Sequence, residues 1–170
     1  MKLKPIDPKD LQINPITMFS QRWPLLTAGN KESGFNTMTI AWGHIGSIWD
    51  GLGLPTVSVY VRPQRHTFGF MNQNEMFTVS VLPTAFKEQL TYLGRTSGRD
   101  EDKVAKVGLT PAFAHNTTYF SEAEMVFICR KLYQSPLIHE SFVDTAVRDR
   151  TYPQKDYHTQ YIGEIVEVLV

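Results

Sequence analysis

The chain has 170 residues, 42% of them hydrophobic, which is enough for one domain to bury a core without disulfides or structural metal. Lysine plus arginine balance aspartate plus glutamate at 17 each, so no global field gathers nucleic acid or an anionic membrane, and any anion must be held by a local site. The single cysteine, Cys129, excludes an intramolecular disulfide or a thiolate metal cluster. No stretch approaches the ~20 apolar residues of a membrane span, so the expectation is one soluble, cytoplasmic domain over residues 1–170.

In chain order, the first strand pattern is Met38, Ile40 and Trp42. The clearest is 56–61 (TVSVYV), with Val57, Val59 and Val61 on one face and Ser58 and Tyr60 on the other. A short helical segment follows at 66–72, then alternation at Phe77, Val79 and Val81, then helical segments at 86–93 and 101–107. Strands return at 124–132 and 161–170. Residues 51–55 (GLGLP) and 150–153 (RTYP) mark loops. Strands dominate, without the regular alternation of a doubly wound sheet or the even hairpins of a sandwich. The expected class is therefore mainly β, a barrel with helical insertions.

Familiar catalytic motifs are missing. Gly51-Leu52-Gly53 lacks the third glycine of a dinucleotide turn and runs into Pro55 and a strand. No phosphate loop of the G-x-x-x-x-G-K-[ST] type occurs, and His139-Glu140 has no second histidine at zincin spacing. Cys129 lies in an apolar strand, where a thiol is buried and inert. The sequon at Asn116 is a chance match in a chain read as not exported.

Three segments carry chemistry suited to a flat, anionic ligand. In 34–42 (GFNTMTIAW), small amide and hydroxyl side chains lead into a strand and can hydrogen-bond the polar edge of a heterocycle; a turn and core packing explain the same residues. In 60–67 (YVRPQRHT), Arg62 and Arg65 sit between the best strand and a helix start, a pattern suited to phosphate and equally to a solvated surface. In 96–103 (TSGRDEDK), Ser97 and Gly98 can donate hydrogen bonds while Arg99 and Lys103 neutralise charge. An ordinary helix capped by Asp100, with Lys103 in solvent, is the competing account.

Taken together and in order, FNTMTIAWG from Phe35, YVRPQRHT from Tyr60, SGRDEDK from Ser97, CRKLY from Cys129 and YPQKDYHTQYIGEI from Tyr152 resemble the flavin reductase-like family, especially its flavoredoxin branch. The resemblance covers nearly the whole chain. It implies a six-stranded FMN-binding split barrel, Greek-key-like, with FMN at a homodimer interface. By position, Asn36, Thr37, Met38 and Thr39 should lie at the isoalloxazine ring, Tyr60, Val61 and Arg62 along the ring or ribityl chain, and Arg65, Thr67, Ser97, Gly98, Arg99 and Lys103 around the phosphate. Trp42 resembles an aromatic beside the flavin, His66 stands where some relatives carry another aromatic, and His158 and Tyr161 are candidates for lining the cleft.

The activity implied is NAD(P)H-dependent flavin reduction, hydride passing from nicotinamide C4 to flavin N5, with NADH or NADPH as donor and no catalytic side chain or metal. The flavin does the hard chemistry and the protein orients it. Alternatives are a flavoredoxin-type electron carrier fed by a partner protein, the reductase component serving an oxygenase, or a non-enzymatic barrel for a ligand or nucleic acid. Balanced charge argues against the last of these.

Overall fold

The computed structural model describes residues 3–170. Its strands are β1 (Pro5–Ile6), β2 (Leu25–Asn30), β3 (Gly34–Thr39), β4 (Gly43–Ile48), β5 (Leu54–Val61), β6 (Met76–Val81), β7 (Pro111–Ala114), β8 (Thr117–Phe120), β9 (Met125–Pro136) and β10 (Thr159–Leu169). The helices are α1 (Pro15–Thr17), continued by a π turn over Met18–Arg22, then α2 (His66–Gln73), α3 (Lys87–Arg95), α4 (Lys103–Lys106) and α5 (Thr145–Thr151). The described chain is mainly β, as expected.

The main sheet is antiparallel throughout, in the order β3-β2-β6-β9-β10-β5-β4, with β1 added on β10. β3 and β4 are the two ends of that order, yet only residues 40–42 join them. Laid flat, seven strands would put those ends about 29 Å apart. The short link spans at most ~15 Å. The sheet must therefore curl until its edges approach, giving a barrel that is split between β3 and β4. Two register shifts in the β9–β10 ladder, at Ile162/Gly163 and Ile165/Glu167, fall where bulges add bend and twist.

Apolar clusters pack on both faces of the sheet, while β4 stays largely exposed. Leu26, Ala28, Val57, Val59, Val61, Phe127, Cys129 and Tyr161 fill the interior, whereas Leu25, Leu82, Leu90, Leu93, Phe120, Val126 and Ile128 pack beneath α3, α4 and the β7–β8 hairpin. β9 supplies alternate residues to both clusters, which is why its sequence is a continuous apolar run. The hairpin closes on His115 and Asn116, both at positive φ, the geometry of a two-residue turn matched to strand twist.

Several expectations change. The strand expected through Met38, Ile40 and Trp42 stops at Thr39: the Ile40 amide donates to Pro24 O at 2.9 Å, and the chain then crosses the split. The sheet holds eight strands rather than six, because β1 pairs with β10 and β4 pairs with β5. The helix expected over 101–107 shrinks to α4, and its cap is Asp102, which accepts from the Ala105 amide at 3.0 Å, not Asp100. Residues 150 and 151, read as loop, close α5. No helix among the described residues is long and apolar enough to cross a membrane.

Candidate functional site

A cavity of about 670 Å³ opens beside the barrel split. Four pieces of chain wall it: the β3 edge, the turn from β5 into α2, the loop from the end of α3 to α4, and the stretch linking α5 to β10. Strand alternation decides which β3 and β5 residues reach it. Asn36 and Met38 face the cavity, while Thr37 points to the opposite face of β3, where it is fully buried, sharing a 2.8 Å hydrogen bond with Thr27 and donating to Leu26 O. Likewise Arg62 faces the cavity and Val61 is fully buried in the core. The side chains of Thr37 and Val61 therefore point away from the cavity.

The floor is preorganised. Asn36 is 6% exposed, and its amide donates to Thr67 Oγ1 at 2.7 Å, joining β3 to the first turn of α2. Gly98 rests directly on that pair: a Cβ there would lie 2.1 Å from Asn36 Oδ1 and 3.3 Å from the His66 ring. Only glycine lets the loop approach so closely. Ser97 accepts from the Arg99 amide at 3.2 Å, which shapes the loop.

Cations surround this floor. Arg62, Arg65, Arg95, Arg99, Lys103 and Arg150 line the cavity, against one carboxylate, Asp156. Arg62 is ion-paired with Asp156, donates to Thr151 O and lies over the Tyr152 ring at 5.3 Å. Arg65 reaches Gly94 O at 3.3 Å and Arg99 reaches Gln64 O at 3.2 Å, leaving most of each guanidinium's five donors available. Lys103 is not in solvent. It is 4% exposed, and its amine donates at 2.9 Å to both Leu93 O and Thr96 O, closing the C-terminal end of α3 with a third N–H still to give. Burial, reinforced by Arg65, lowers its pKa to about 8. His66 is pushed below its ordinary value by desolvation and by Arg99 and Lys103, so it faces the cavity as a neutral ring at pH 7.

Toward the split the lining changes character. Met38, Arg62 and Arg65 also border a smaller hollow of about 140 Å³ walled by Thr39, Ile40, Ala41, Trp42, Tyr60 and His158. Thr39 ties this end to α3 by donating to Leu90 O at 2.6 Å. Trp42, 47% exposed, lies against His158 with ring centroids 4.7 Å apart. The His158 Nδ1 is 2.8 Å from the Tyr152 hydroxyl, and desolvation next to Arg62 lowers its pKa to about 4. Tyr60 accepts from Gln160 and shares a hydrogen bond with His44. Tyr161, by contrast, is fully buried and donates to Asn72 at 2.7 Å, outside the cleft.

The structure thus brings twelve of the fourteen sequence-predicted residues to the two connected hollows and adds Gln64, Arg95, Arg150 and Asp156, which residue patterns alone did not single out. Asp156 belongs to the YPQKDYHTQYIGEI stretch, and its place in that stretch was its only signal. Cys129 is fully buried, and burial drives its thiol pKa upward, in keeping with an inert role. Among the described residues no group of histidine, cysteine and carboxylate side chains is arranged to hold a metal.

A sequence profile described as "flavin reductase like domain" matches residues 17–170. The chain belongs to the flavin reductase-like family. Among solved structures it is similar to the flavoredoxin of Desulfovibrio vulgaris (Miyazaki F), at 26% identity and TM-score 0.64, over 86% of this chain and 67% of that one. An FMN-binding domain of a flavin reductases-like enzyme from Shewanella baltica OS155 aligns at 15% identity and TM-score 0.68, over 99% and 76%. Nitrilotriacetate monooxygenase component B from Bacillus cereus aligns at 16% identity and TM-score 0.63, over 96% and 79%. A search of curated proteins found no match.

The residues fit the flavin mononucleotide typical of this family. A dianionic phosphate suits the end walled by Arg65, Arg99 and Lys103, and the small hollow beside Trp42 and Tyr60 suits the edge of a flat ring.

Proposed function

We propose that this protein is an FMN-dependent oxidoreductase that takes electrons from NADH or NADPH. The carrying observation is a cationic cavity in a chain of zero net charge, continuous with an aromatic hollow at the barrel split. When bound, FMN would supply the redox chemistry, taking up the reducing equivalents of the nicotinamide donor. The chain's own residues bind and orient. Arg65, Arg99 and Lys103, with Ser97 and Thr67, hold the phosphate; Asn36 and the Gly98 loop fix the floor. Met38, Thr39, Tyr60 and Arg62 border the ring, and Trp42 limits access to it. His158, neutral at pH 7, is held in orientation by Tyr152 and carries no charge toward the ring.

The whole chain serves as one FMN-binding domain, paired as a homodimer in the cytoplasm. Exposed Ile16, Trp42, Ile48 and Trp49 support the pairing, and light scattering should give twice the 19.4 kDa of the single chain.

Anaerobic absorbance spectra test the reading. Bound-flavin bands should appear with added FMN and bleach on addition of NADH or NADPH. A second reading, an electron carrier reduced by a partner protein, is favoured by the 26% identity to a flavoredoxin. Bands that persist with both nucleotides would select it, and absence of flavin binding would refute both.

A further inference from the structure

Charge at the cavity exceeds what a single phosphate needs. With Arg62 neutralised by Asp156, five cations remain: Arg65, Arg95, Arg99, Lys103 and Arg150. None of the five makes a salt bridge among the described residues. Arg65, Arg99 and Lys103 are drawn into the walls by hydrogen bonds to backbone carbonyls and account for the inner phosphate. Arg95 and Arg150 line the same cavity, are exposed as Arg65 and Arg99 are, and have no such tie among the described residues.

Helix electrostatics explain part of their placement, since each lies in the last turn of its helix, where a cation is favoured. They do not explain both. Arg148, in the same turn of α5 as Arg150, is paired with Asp149, whereas Arg150 lines the cavity without a carboxylate. Two uncompensated guanidiniums from separate helices bordering one cavity form an electropositive rim, and guanidinium forks match phosphate oxygens.

We infer that Arg95 and Arg150 form a second anion subsite at the rim, taking a further phosphoryl group of a nucleotide whose remainder occupies the cavity; the occupant of the inner subsite rests on the flavin reading above. Two nucleotides carry that chemistry. In FAD the pyrophosphate extends beyond the phosphate that FMN also has, and a nicotinamide dinucleotide brings its own pyrophosphate, with a 2′-phosphate in NADPH.

The test compares R95A/R150A, and the charge-conserving R95K/R150K, with the wild-type chain. Flavin fluorescence gives Kd for FMN and FAD, and steady-state kinetics on the FMN-loaded protein give KM for NADPH and NADH. For at least one of these larger ligands, the alanine pair should lose about tenfold more affinity than for FMN, and the lysine pair should retain most of it. The excess loss should shrink in high salt. An excess on FAD identifies the flavin as the source. An excess on NADPH alone identifies the 2′-phosphate, and an equal excess on NADPH and NADH identifies the dinucleotide pyrophosphate. Equal losses on FMN and every other ligand, or no loss at all, would overturn the subsite. If the wild type bound neither flavin, the flavin reading would fail separately, and calorimetry with inorganic pyrophosphate would then decide. Heat of binding lost in R95A/R150A sustains the rim site; identical isotherms refute it.

Discussion

The cationic cavity opens into the ring-side hollow, which meets an apolar groove at Trp42 and Tyr60, and cavity and groove are built from opposite materials. On one side lies the cationic cavity, whose floor is held by the Asn36–Thr67 hydrogen bond and whose walls are cross-tied by Arg65, Arg99 and Lys103. On the other is an apolar groove of about 500 Å³, bordered by Pro15, Ile16, Phe19, Ala41, Ile45 and Leu137. The first can bind by directed charge and hydrogen bonds, which fix one ligand in one orientation. The second offers mainly shape and apolar area, with Ser20, His44 and Tyr60 as its polar groups, and discriminates weakly between ligands of similar outline. Anchoring and access are thus assigned to different chemistry, and a substitution should affect one without the other.

The largest effect should come from the anchor. Charge-assisted contacts are worth ~1.5–3 kcal/mol each, so R65A/R99A should weaken FMN binding by about a hundredfold or more. Fluorescence titration at two salt concentrations checks this, and an unchanged Kd would place the phosphate elsewhere. Next is Gly98→Ala. Its Cβ would enter the space of Asn36 Oδ1, forcing the loop or the amide to move. Overpacking of this kind costs ~1–3 kcal/mol, and the loss should appear in both chemical denaturation and FMN affinity.

How much of this the sequence disclosed follows from how local each signal is. The alternation of Val57, Val59 and Val61 is written within one strand, and all three are fully buried. Arg62, Arg65, Ser97 and Arg99 were equally visible because their chemistry is in the side chains themselves, whereas Arg95 and Arg150 stood in no such cluster. β4 was not legible: GHIGSI has two glycines, a half-exposed pattern and no period-two apolar face, and its pairing with β5 decides its conformation. Lys103 was open to two accounts because a lysine in a charged run resembles a solvated one; its burial depends on Leu93 and Thr96 carbonyls brought over by the fold. For Thr37 and Val61 the direction of the side chain was not legible, for a simple reason. Consecutive strand residues face opposite ways, and a contiguous motif cannot say which of them reaches the ligand.

A smaller effect is expected from pH. The Lys103 amine is charged below about 8 and neutral above it. A bound phosphate favours the charged form and raises this pKa, so FMN affinity should be constant at neutral pH and decline as pH rises past about 8, by roughly tenfold at most. K103R, which stays charged, should remove that decline. His158 has the opposite consequence for the fold. Its folded pKa of about 4 lies below the ordinary 6.5, so the unfolded chain binds more protons between those values and stability should fall as pH drops through that window. H158Q should flatten this acid limb in thermal denaturation.

The smallest effect on anchoring should come from Trp42, because it touches only the access side. Its indole packs against His158 at a tilt of 43°, is half exposed, and borders the ring-side hollow and the apolar groove but not the cationic cavity. W42A removes a partition between the two hollows without removing a phosphate donor. FMN affinity should change by less than about tenfold, since an exposed aromatic contact contributes ~0.5–1.5 kcal/mol beyond its area. Reoxidation of the reduced protein by oxygen should instead become faster, measured by stopped-flow absorbance after anaerobic reduction with dithionite. If W42A lost FMN affinity as severely as R65A/R99A, the ring would depend on Trp42 for its hold, and the division between anchor and access would collapse.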